Sequence, residues 1–272
     1  MIKALQHKIG CVFMTSPSLA ITFNNILFKN KDMREASVYD IQRLNYSFTT
    51  KYISHLVIMN GTTNNIKCVM DFVKTYGFKY LKYLYMTVMS HGNKGGIIYT
   101  ETDVYNIEDV IFKALRENIT LRNLLLINLI NICRGVIDPR FEDRDLVYEE
   151  IDNDDLDENF ISFYSAQEGY VSYLKEYGAA FIMAFCDNFN TITTERSMLA
   201  IAQSVENTLQ NKMQFSPKVT EYRAKPGVTH IIKMELANSS LYTELYGEIY
   251  DIVQNRLFAM DNTVCQNVTA CI

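Results

Sequence analysis

The sequence predicts an α/β protein built on a mostly parallel sheet with helices on both faces. Three observations carry this expectation. Over the first 130 residues, short β-rich runs alternate with segments of helical periodicity, the pattern of βαβ units. Residues 124–132 form a near-continuous apolar run broken only by Asn128 and Asn131, as strands covered on both faces do. The composition is that of an ordinary folded chain, with 48% hydrophobic and 21% charged residues and only 4 Pro and 11 Gly in 272 residues.

The elements follow in order. Residues 20–23 read as a strand ended by Asn24 and Asn25, and 35–48 as a helix with Val38, Ile41 and Leu44 on one face. Residues 55–59 are a second strand closed by Asn60-Gly61, and 63–76 a helix presenting Ile66, Val69, Met70 and Val73. A third strand, 83–89, runs straight into Ser90-His91-Gly92, followed by a hairpin at 96–99 and a helix at 107–115. The apolar run 124–132 ends at Cys133-Arg134-Gly135. Beyond it the sequence predicts a strand at 160–165, helices at 179–189 and 195–212, and a final strand at 228–234.

The net charge of −5 is unevenly placed. Ten acidic residues and one basic residue, Arg144, fall between Glu142 and Glu158, and the rest of the chain is net positive. This reads as a solvated connector between two folded halves and gives no basic face for nucleic acid. No apolar run approaches the ~18–20 residues that cross a bilayer, and the N-terminus lacks a signal pattern, so a soluble, cytoplasmic protein is expected. The six cysteines, at 11, 68, 133, 186, 265 and 271, form no C-x-x-C pair and share no metal-ligand spacing with histidine, so neither a metal nor another cofactor is expected.

Ligands on open α/β sheets bind beyond the carboxyl ends of strands, where both His91 and Cys133 are placed. Each alone is more often structural than catalytic. Together they are more specific. Ser90-His91-Gly92 and Asn131-Ile132-Cys133-Arg134-Gly135 resemble the SHG and QACRG motifs of caspases, 42 residues apart. The resemblance spans residues 18–242. It includes 19–25 as the first strand, Arg34 before the first helix, 159–166 and 169–173 as the small-subunit start and substrate strand, 178–182 as the next helix, and 225–241 as the closing segment. It implies a caspase-like (caspase–hemoglobinase) fold with a six-stranded, mostly parallel sheet. The implied organisation is a large-subunit-like half at 1–141, a linker at 142–158, a small-subunit-like half at 159–242 and an extension at 243–272. With no long segment before the fold, the short-prodomain, executioner type is expected.

A thiolate is the nucleophile for acyl transfer, and a neighbouring imidazole favours it and later protonates the leaving amine. Cys133 and His91 are the candidates. The resemblance implies an oxyanion hole from the backbone N–H groups of Gly92 and Cys133, and a carbonyl near Asp32 orienting the imidazole. It also implies a pocket for aspartate made of two arginines and a glutamine. Arg34 matches the first arginine, Asn131 stands one methylene short of the glutamine, and Leu174, after Ser172-Tyr173, occupies the place of the second arginine; Lys175 reaches it only if the strand slips by one. The aromatic wall is changed as well, with Tyr173 and Ala180 in a chain that has no Trp.

Two functions follow. One is a cysteine endopeptidase cleaving after aspartate or an altered residue, in apoptosis. The other is a pseudo-caspase that binds and regulates true caspases. Either acts on a peptide or protein and dimerises, with itself or another caspase, through the strand at 228–234, unless the C-terminal extension covers that strand. Asp152 and Asp154 end tetrapeptides suited to processing, although a plain solvated loop explains the same acidity. Residues 241–257 carry helical spacing expected to pack on the domain's own surface. Richness in Asn, Ile, Lys and Tyr suggests an AT-rich source, such as a virus.

Overall fold

Alternation of side chains along each strand sends one set to either face of a central sheet, and helices cover both. The structure, a computed structural model, describes residues 17–137, 157–213, 220–234 and 268–271. Strands β1 (Ser18–Asn24), β2 (Ser54–Met59), β3 (Tyr83–Met89), β4 (Leu125–Asn131) and β5 (Phe160–Tyr164) are parallel, and β6 (Glu221–Arg223) closes one side antiparallel to β5. These six form the expected mostly parallel sheet. A seventh strand, β7 (Val268–Cys271), lies antiparallel beside β2, giving the order β6-β5-β4-β3-β1-β2-β7.

Helix α1 (Ser37–Thr49) returns the chain from β1 to β2, and α2 (Thr63–Thr75) from β2 to β3. Thr62 caps α2 in a reciprocal box with Asn65, satisfying donors that a helix start leaves unpaired. On one face, Leu19, Ile21 and Phe23 meet Ile66, Val69, Met70 and Val73 of α2. On the other, Ala20, Tyr85 and Met89 meet Leu44 and Phe48 of α1 and Phe181, Phe185 and Phe189 of α4 (Ala180–Asn190; the short α3, Lys113–Glu117, precedes it in the chain). Helix α5 (Met198–Met213) adds Ile201, Val205 and Leu209 to the same layer.

Several expectations change. The closing strand expected at 228–234 is reduced to Ile231–Lys233, which lies off the central sheet, paired with Glu195–Ser197. That pairing also removes 195–197 from the expected helix, which starts at Met198, whose N–H donates to the carbonyl of His230. Among the described residues, the edge strand on that side is Glu221–Arg223 instead. Of the C-terminal extension, the described Val268–Cys271 sits on the opposite edge. The helix expected at 107–115 begins with a wide π turn, Glu108–Phe112, before α3. Residues 241–257, Asp152 and Asp154 lie outside the described residues.

This order makes a topological switch. From β1 the chain moves to β2 on one side and then to β3 on the other, opening a crevice at the carboxyl ends of β1 and β3, where such folds bind ligands.

Candidate active site

Register brings the two candidate residues to adjoining strand ends. Met89 of β3 is paired with Asn131 of β4, and His91 and Cys133 each lie two residues beyond that pair. The Ser90 N–H donates to the Asn131 carbonyl (3.3 Å) and the Ser90 hydroxyl to the Tyr99 carbonyl (2.6 Å), holding the turn that carries His91. The backbones then run almost in contact. A Cβ on Gly92 would lie 2.6 Å from the Cys133 carbonyl oxygen and 2.8 Å from Ile132 Cβ, so only glycine fits there.

The imidazole is oriented from the loop after β1. His91 Nε2 donates to the Asp32 carbonyl (2.8 Å), and the ring of Phe28 meets it edge-on with centroids 4.6 Å apart. A carbonyl only accepts, so this contact puts the proton on Nε2 and leaves Nδ1 as the basic nitrogen. Burial lowers the imidazole's proton affinity, the Arg34 and Lys31 charges lower it further, and the Asp32 contact opposes them. The resting ring is thus neutral and able to accept a proton.

The Cys133 sulfur is half-buried against Ser172, whose N–H donates to it (3.4 Å) and whose carbonyl accepts from it (3.7 Å). Arg34 links the two residues. Its charge acts on the His91 imidazole, and the Cys133 sulfur in turn favours the protonated guanidinium. Arg34 is buried at 5% exposure, and burial pulls its pKa down to about 10, with Asp40 and Cys133 opposing. It therefore stays cationic at neutral pH. Its Nη1 donates to the Asn25 carbonyl (3.2 Å) at the end of β1.

Gly92 pairs with Ile98 as a non-hydrogen-bonded couple, because the Tyr99 N–H donates to the carbonyl of His91. The Gly92 N–H thus points away from that ladder, as an oxyanion donor must.

The backbone after Cys133 is fixed by a second close approach. Gly135–Ile137 runs parallel to Gly169–Tyr170, and a Cβ on Gly135 would fall 2.0 Å from the Gly169 oxygen. Gly135→Ala is expected to force these strands apart, cost on the order of 3 kcal/mol and lower Tm by roughly 6–12 °C. A melting curve matching wild type would disprove this packing. Arg134 is buried here, donating to the Ala166 carbonyl (3.3 Å), pairing with Glu221 and lying 4.2 Å over the Tyr164 ring.

Comparison with known proteins now bears on this arrangement. The caspase domain family matches residues 17–232. The chain belongs to the caspase family. Among solved structures it is similar to caspase-1 from Spodoptera frugiperda, with a TM-score of 0.67 and 17% identity over 80% of this chain and 92% of that one. No curated protein sequence matches it. Caspases are a cysteine peptidase family, and the fold likeness agrees with that membership.

Of the residues that the caspase resemblance places in an aspartate pocket, Arg34 and Asn131 are both buried. The Asn131 Oδ1 accepts from the Ser172 hydroxyl (3.1 Å), which leaves its amide N–H groups as donors. Leu174 pairs with Ala179 and Lys175 with Gly178 in a short antiparallel hairpin. Tyr173 and Leu174 pack on the apolar layer that includes Ala179 and Ala180.

Phe28, Asp40 and Glu168 also shape the site, and sequence reasoning passed over their roles because none lies in a periodic pattern or the two motifs. Asp40 is buried on α1, and both its carboxylate oxygens accept from the Ala179 N–H (2.8 and 3.0 Å), tying α1 to the end of the substrate segment. Burial raises its pKa from 3.8 to about 7, opposed by the Ala179 N–H, Arg34 and Arg43. A pKa higher in the folded state means the folded protein binds the extra proton. This contribution to stability is complete below the unfolded value and is lost as pH rises through about 7. Melting at about pH 6 and about pH 8 should show wild type losing stability across that interval and Asp40→Asn losing less. Equal losses would place the titration elsewhere.

Proposed function

We propose that this chain is a cysteine endopeptidase that takes an acidic residue before the scissile bond with reduced strength. The observation that carries the reading is the placement of His91 and Cys133 beyond a paired Met89–Asn131 couple, with the Asp32 carbonyl accepting from His91 Nε2 and leaving Nδ1 as the basic nitrogen. The Cys133 thiol gives its proton to His91 Nδ1, and the resulting thiolate attacks the substrate carbonyl carbon. The Gly92 and Cys133 N–H groups receive the developing oxyanion; losing such a donor typically raises the barrier by ~2.7–4 kcal/mol. Collapse forms a thioester and expels the amine, which takes the proton from the imidazole. Water activated by the same nitrogen then hydrolyses the thioester. Arg34 anchors the acidic side chain, with Asn131 beside it and Ser172, Tyr173 and Leu174 lining the approach.

A second reading is favoured by Leu174. A chain that keeps the caspase fold but lacks one of the two arginines suits a non-proteolytic regulator that binds true caspases, in a cell-death setting. In that case pairing between chains would use the edge strand Glu221–Arg223.

A panel of fluorogenic peptides varied at the residue before the scissile bond, run with wild type and Cys133→Ala, separates the two. Turnover dependent on Cys133 supports the peptidase. Absence of turnover, with co-purification of an active caspase, supports the regulator.

A further inference from the structure

We propose that Glu168 is a positioning residue that clamps the loop bearing His91 to the loop bearing Cys133; this rests on the peptidase reading above. Its two carboxylate oxygens reach different elements. Oε1 accepts from the Gly95 N–H (2.9 Å), four residues beyond His91 in the hairpin that pairs Gly92–Asn93 with Ile97–Tyr99. Oε2 pairs with Arg134 Nη2 (2.5 Å), the residue next to Cys133. One side chain therefore spans both loops.

Each end is itself held. The Asn106 amide donates to the Gly95 carbonyl (2.8 Å), so Gly95 is a fixed point of the hairpin. The Arg134 N–H donates to the Tyr170 carbonyl (2.8 Å), and the Gly169 N–H donates to the Arg134 carbonyl (2.9 Å), so Arg134 is locked to the strand that follows Glu168. Arg134 is 5% exposed, and its guanidinium shares Glu221 with Arg223. Two cations around Glu221 leave Glu168 as the second anion of the cluster. A buried guanidinium stripped of one carboxylate would draw on Glu221 more strongly and shift the Cys133 backbone with it. Displacement near 1 Å at a reacting group is worth up to about 100-fold in rate.

The test is the pH profile of Cys133 alkylation by iodoacetamide, located by mass spectrometry, together with peptide turnover. The charged groups facing the pair are Lys31, Asp32 and Arg34 at His91, with Arg134, Glu221 and Arg223 behind Cys133. Wild type, Glu168→Ala, Glu168→Gln and His91→Ala are compared. Glu168→Ala should move the profile toward that of His91→Ala and lower kcat/KM by roughly 10–100-fold, mostly in kcat. Glu168→Gln, which keeps an acceptor for Gly95 but no charge for Arg134, should fall between it and wild type, and carries the test if the alanine variant fails to fold. A Glu168→Ala profile superimposed on wild type overturns the clamp alone, provided His91→Ala shifts. If His91→Ala also leaves the profile unchanged, the peptidase reading falls and the clamp falls with it.

Discussion

Replacing Cys133 with alanine is expected to erase peptide turnover, by about 10⁴- to 10⁶-fold, while the fold survives. The size of the loss follows from removing the atom that forms the acyl bond; what remains is binding and the oxyanion donors. Stability should change little. The sulfur's polar partners are the N–H and carbonyl of Ser172, at 3.4 and 3.7 Å, and such contacts are weak. Among the described residues, Cys186 cannot take over, since it is buried in the layer under α1 and burial pushes its thiol up to about 12. The measurement is turnover of the best peptide of the panel alongside a melting curve. Turnover that persists in the variant would mean that the reaction belongs to another group or another protein.

Leu174→Arg is expected to raise kcat/KM for peptides with aspartate before the scissile bond by about 10- to 150-fold, the equivalent of one charge-assisted hydrogen bond worth ~1.5–3 kcal/mol. Leucine here is half-buried on a two-residue strand beside Ala179. An arginine can keep its methylene stem on the same apolar layer while its planar head joins Arg34 around the carboxylate. Substrates with uncharged residues at that position should not gain. An aspartate rate that stays put would show that Leu174 does not line the pocket.

How far the sequence foretold this molecule depends on which forces set each element. Strand β3 was legible to the residue because Leu84, Met86 and Val88 alternate with Tyr85 and Met89 toward two apolar layers. His91 and Cys133 were legible because short motifs sit at the ends of such strands. Strand β6 was not. Glu221-Tyr222-Arg223 carries no apolar alternation, and it joins the sheet through distant partners, with Glu221 on Arg134 and the Tyr222 ring 4.9 Å from that of Phe163. Ser197 likewise belongs to a strand only because Ile231 lies across from it. Phe28 and the Asp32 carbonyl reach His91 from a loop whose path no periodicity describes. Local pattern revealed the scaffold and the two motifs at its strand ends, and contacts between segments far apart in the chain decided the rest.

The strand Val268–Cys271 moves one rim of the sheet outward. Its backbone occupies the groups that β2 would otherwise offer to a neighbour, as Glu221–Arg223 does for β5, so at each rim the outermost described strand is antiparallel to the one inside it. The five parallel strands that carry the site are thus all interior, and none of them presents an unpaired backbone to another chain.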